Sequence, residues 1–251
     1  CTGITSVGPI GSGCDYEFGW TDSIPDYTFY RTGLQSVILP ETLTRIGNSA
    51  FNSTALQSLV IPDSVETIGD SAFYCCSAME SLTIGEGVTS IGSSAFSFCS
   101  ALETINYNAK HATLSSNGIF GGGGAGTAGD GISVIFGNSV EYIPSRLFYG
   151  ELKVTSVTIG ENVTSIGFSA FYGCQNLTKV VMPASVETID SNAFHGCTGI
   201  TDVYYAGTES DWNAIVISSG NDPLLNAAIH YSEPATYCIT INAENTPAIY
   251  R

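Results

Sequence analysis

One phrase recurs along this chain, most plainly as MESLTIGEGVTSIGSSAFSFC from Met79 to Cys99, and its beat is a phenylalanine. Phe29, Phe51, Phe73, Phe96, Phe120, Phe148, Phe171 and Phe194 follow one another at intervals of 22, 22, 23, 24, 28, 23 and 23 residues. Ile24, Ile46, Ile68, Ile91, Ile143, Ile166 and Ile189 each stand five residues ahead of a beat, and Leu114 stands six ahead of Phe120. Spacing inside the unit is tighter than spacing between units. Each unit is too thin to bury its own apolar side, so the chain must stack coil on coil as a solenoid.

The columns of the repeat predict what each coil does. A first apolar pair, running from Val37/Leu39 to Val203/Tyr205, reads as a short parallel strand with alternate residues inward. A second pair, such as Val65/Ile68, reads as another short extended run. Ala-Phe then enters a short helical or 3₁₀ turn, with Phe filling the core. The column after the second pair holds Pro25, Gly47, Gly69, Gly92, Ser115, Pro144, Gly167 and Asp190. Proline cannot adopt positive φ, so this column marks a turn and not an obligatory left-handed residue.

With Ala50-Phe51, Ala72-Phe73, Ala95-Phe96, Ala170-Phe171 and Ala193-Phe194 set beside IPDSVETIG, IGEGVTSIG and IGENVTSIG, the chain resembles the BspA-like leucine-rich repeats over about Ile24 to Tyr205. The resemblance implies a leucine-rich-repeat-like right-handed solenoid, here of about eight coils capped at both ends. It further implies a bacterial surface or secreted protein of a family associated with adhesion and host interaction. It implies no chemistry.

Four segments are expected. Residues 1–23, with Tyr16, Phe18 and Trp20, read as an N-terminal cap, and residues 24–205 as the solenoid. A Gly-rich insertion near 118–131 lengthens the interval from Phe120 to Phe148 and marks a joint between two halves. It lacks the Gly-Lys-Ser/Thr ending of a phosphate loop, and it reads as a structural loop ahead of a ligand clamp or calcium site. Residues 206–232 read as a C-terminal cap, in which Thr208 to Asp211 has capping-box spacing for a helix carrying Trp212, Ile215 and Val216 onto the last coil. Leu224, Leu225, Ile229 and Tyr231 complete it as a final strand. Residues 233–251 are a tail or the start of a following module. The start at Cys1 reads as a processed or trimmed chain, with an acylated cysteine the less favoured alternative.

Charge excludes several partners. Seven Lys plus Arg against 23 Asp plus Glu give a net charge of -16, which repels nucleic acid and anionic membrane. No apolar run is long enough to span a bilayer. Cys76, Cys99, Cys174 and Cys197 each lie three residues after a beat, so they read as a reduced buried ladder. In-register stacking holds Cβ atoms about 4.8 Å apart, farther than the roughly 3.8 Å a disulfide prefers. Cys75 is off that pattern, Cys1 with Cys14 is a possible cap disulfide, and Cys238 has no evident mate. Three histidines, with His111 in a column that elsewhere holds Val, build no catalytic set, and neither a nucleophile elbow nor a Cys-x-x-Cys occurs. The sequence therefore predicts no enzyme, no cofactor and no metal.

Function is then sought on the strand face, where side chains between the core columns point out. One column contains Ser58, Ser81, Thr104, Ser156, Lys179 and Asp202; the next contains Val60, Thr83, Asn106, Thr158, Val181 and Tyr204. They predict a flat, weakly charged strip, which is either a plain soluble sheet face or the contact surface for a protein or glycan. The leading expectation is a monomeric, extracellular or cell-surface adhesion module that contacts a host or matrix protein or glycan, without nucleic acid and without membrane insertion. The alternative is a passive spacer that presents another domain.

Overall fold

The computed structural model describes residues 22–115, 119–120 and 131–232, preceded by the backbone strands Ser6–Pro9 and Tyr16–Phe18. The remainder of the expected N-terminal cap, the possible Cys1–Cys14 disulfide, Cys238, most of the Gly-rich insertion and the tail from residue 233 lie outside the described residues.

Each coil gives one strand to a long parallel sheet. Ser58–Ile61, Ser81–Ile84, Thr104–Tyr107, Ile132–Phe136, Val154–Thr158, Lys179–Met182, Asp202–Tyr205 and Ala228–Tyr231 lie side by side in chain order. The strand before them, Ser36–Val37, pairs with Ser6–Pro9, which pairs in turn with Tyr16–Phe18. Apolar and polar residues alternate with period two, so in Ser58–Ile61 the side chains of Leu59 and Ile61 are buried and those of Ser58 and Val60 exposed. The sheet runs past the insertion in register, with Thr104 opposite Ser133 and Tyr107 opposite Phe136.

The second apolar pair forms two-residue strands, and here the chain does break. Five of them, from Ser23–Ile24 to Thr113–Leu114, make one sheet; four, from Tyr142–Ile143 to Val216–Ile217, make another. The break explains where the prolines of this column sit. Gly47, Gly69, Gly92 and Gly167 donate their N–H to the Ile carbonyl of the preceding coil, Ile24, Ile46, Ile68 and Ile143. Pro25 and Pro144 follow the first strand of each sheet, where no earlier strand waits for a donor. At Gly69 the absence of a side chain is a packing requirement, since a Cβ there would lie 2.6 Å from the Asn48 nitrogen.

In place of helical turns, the Ala-Phe segments are hydrogen-bonded turns that reach from coil to coil. Ser49, Phe51 and Ser53 donate N–H groups to the carbonyls of Asp70, Ala72 and Tyr74 in the next coil, while Ala50, Asn52 and Thr54 close local turns. This alternation needs positive φ two residues before and two after the beat. Ser49, Ser71, Ser94, Ser169 and Asn192 lie between 51° and 58°, and Arg31, Ser53, Cys75 and Phe98 between 55° and 62°. Left-handed backbone costs a non-glycine residue roughly 1 kcal/mol, offset here by backbone hydrogen bonds between coils.

Inside these turns the beat phenylalanines stack. Adjacent rings from Phe29 to Phe194 are 4.9 to 5.7 Å apart and within 21° of parallel, including Phe96–Phe120 and Phe120–Phe148 across the insertion. Beside them runs the thiol column. Cys76, Cys99, Cys174 and Cys197 are buried free thiols, each donating to the carbonyl of a beat Phe in the preceding coil at 3.0 to 3.3 Å. Cys99 and Cys174 are pushed well above the ordinary thiol range, first by hydrogen bonding to Cys76 and Cys197 and then by burial.

Two short helices precede the last described strand. Helix α1, Glu209–Ala214, has Thr208 as its N-cap in a capping box with Asp211, and it lays Trp212 against Tyr205. Helix α2, Asp222–Leu225, follows Asn221, whose Oδ1 accepts the N–H of Phe194 in place of the Ala carbonyl of a next coil that accepts it from Phe51, Phe148 and Phe171. Three expectations need correction. Val216 begins a strand and is 65% exposed, because only Ile217 of that pair faces the core. Leu224 and Leu225 both lie in α2 and not in the final strand, Ala228–Tyr231; Leu224 is buried there and Leu225 exposed. His111 is exposed: its coil buries Ala109 and Ala112 instead, and the imidazole reaches out towards Glu141 at 4.0 Å.

Candidate functional site

The two outward columns of the strand face line up residue for residue. Ser58, Ser81, Thr104, Ser133, Ser156, Lys179, Asp202 and Ala228 are successive register partners. So are Val60, Thr83, Asn106, Ile135, Thr158, Val181, Tyr204 and His230. All twelve residues singled out from the sequence therefore share one face. Val60 is its most open apolar side chain at 65% exposure, and Ile38, Ile135 and Tyr204 continue the apolar strip. Between these, Asn106 donates to the Thr83 hydroxyl at 3.3 Å and Ser156 to the Ser133 hydroxyl at 3.1 Å. Such ladders hold the polar side chains flat against the sheet.

One end of the face carries chemistry that sequence reasoning missed. The Tyr204 ring is held between the Lys179 ammonium, 4.9 Å from its centroid, and the His230 imidazole, stacked at 4.7 Å. His230 also bonds to the Asp202 carboxylate at 2.7 Å, and this contact, followed by the Thr201 hydroxyl, holds Asp202 below the usual carboxylate range. His230 escaped notice because α2 intervenes and the step from Tyr204 to its partner is 26 residues, off the beat. Beside Ile135, Thr158 and Val181 the surface dips into an open depression of about 500 Å³, floored by the small residues Gly137, Gly160 and Pro183.

A second exposed pattern lies on the turn face. Tyr149, Tyr172 and His195, each one residue after a beat, stack at 4.8 and 5.0 Å. The signal was present in the sequence, since the residue following each Phe is a column of its own. The three histidines are thus spread over separate surfaces, and among the described residues no group of three or more His, Cys, Asp or Glu is placed to hold a metal ion. No helix among the described residues is long and apolar enough to cross a membrane.

Comparison with known proteins agrees with the repeat. The model of the BspA type leucine rich repeat region matches residues 22–121 and 131–216 in six copies. No curated protein matches the chain. Similar solved structures include a leucine rich cell surface protein from Faecalibacterium prausnitzii, at 26% identity and TM-score 0.47, covering 86% of this chain and 63% of that one. A leucine-rich repeat protein from Eubacterium ventriosum has 25% identity and TM-score 0.42, covering 82% and 55%. The pneumococcal vaccine antigen PcpA has 18% identity and TM-score 0.41, covering 92% and 69%. The chain spans less than two thirds of the length of the Faecalibacterium and Eubacterium proteins.

Proposed function

The chain belongs to the BspA-type leucine-rich repeat family, and on that premise we propose that it is a non-enzymatic, cell-surface or secreted interaction module whose strand face holds a host or matrix protein or glycan. The observation that carries this reading is the unbroken register of the two outward columns across the insertion. A sheet face this regular offers a partner many equivalent small contacts on a rigid support, and rigidity lowers the entropy cost of binding. The family's association with surface and secreted proteins supports the location.

The test is equilibrium binding to a panel of extracellular-matrix proteins and mucin-type glycans, with a Thr83→Lys/Thr158→Lys variant alongside. Both threonines lie in the second outward column, one in each half, so lysine there places charge on the face without touching the core. Saturable binding by the parent, lost in a variant with unchanged thermal unfolding, is the expected result. Absence of binding up to about 100 μM supports a spacer instead.

A further inference from the structure

We draw no further inference here: the strongest candidate, the open depression of about 500 Å³ beside Ile135, Thr158 and Val181 on the strand face, is an apolar groove, and nothing in the structure shows what covers it.

Discussion

The two halves of the strand face share a register and differ at their rims and ends. Ahead of the insertion the entry rim carries Glu80 and Glu103; behind it the equivalent positions are Thr155, Thr178 and Thr201, whose hydroxyls donate to Ile132, Thr155 and Thr178 carbonyls one coil back. The first half has an open apolar centre at Val60, and the second ends in the Lys179, Tyr204, His230 and Asp202 cluster. Core columns are constrained by stacking on both neighbours, so a change in one coil is felt by the next; outward columns touch only solvent and adjacent rungs. A solenoid can thus keep one scaffold and carry two different surfaces.

The sharpest way to break that comparison is to ask whether the interior is one body. Phe73→Ala ahead of the insertion and Phe171→Ala behind it each remove a fully buried ring stacked on two neighbours. Both should cost about 3 to 5 kcal/mol in denaturant unfolding, and both should shift one single transition. Phe29→Ala should cost less, because Phe29 is only partly buried. If each variant shifted a separate transition, the halves would be independent domains joined only at the surface.

What could be read in advance follows the same division. Core columns and outward columns are both linear in sequence once the beat is known, so Leu59, Leu82 and Ile105 inside and Val60, Thr83 and Asn106 outside were placed correctly. The left-handed residues were not legible, because Ser49, Arg31 and Cys75 are held at positive φ by hydrogen bonds to another coil and carry no glycine to announce it. His111 misled for a related reason: its column implied burial, but a coil with Ala109 and Ala112 nearby can bury small side chains and leave the imidazole out. The break in the second sheet was written in Pro144, whose meaning needs the knowledge that no strand of its sheet precedes it.

Glu151 tests the joint itself. It occupies the thiol column, where the first half has Thr54, Cys76 and Cys99, and it is buried with its carboxylate accepting the Lys153 N–H at 3.1 Å. Burial pushes its carboxyl up, against the weaker pull of Lys153. A raised folded-state value means that Glu151 favours the fold fully below its ordinary unfolded pKa, and that this contribution is lost as pH rises through the raised value. Glu151→Gln keeps the shape without the charge. It should be more stable than the parent by about 1 to 2 kcal/mol at pH 7 and equal to it near pH 4, in urea titrations at both. An unchanged difference at the two pH values would show that the carboxylate is not buried as charge.

The smallest effect lies one coil ahead of the insertion. Tyr107 fills an inward strand position that is Ile84 in the preceding coil and Phe136 in the following one, with its ring 5.5 Å from that of Phe136. Its hydroxyl is buried with no hydrogen-bond partner among the described residues, and burial holds it far above the usual phenol range. An unpartnered buried hydroxyl loses its water without replacement, at a cost of about 1 kcal/mol or more. Tyr107→Phe retains the ring and removes that cost, so the variant should unfold at slightly higher denaturant with an unchanged slope. Tyr205, the inward tyrosine at the far end, sets the contrast. Its pKa is also raised, by desolvation and then by Asp211, and its ring meets Trp212 and Tyr231 edge-on. Because its hydroxyl is not among the orphaned buried groups, Tyr205→Phe should bring no gain. If Tyr107→Phe destabilised the protein instead, the hydroxyl would have a partner, and the coil beside the joint would be polar inside where its neighbours are not.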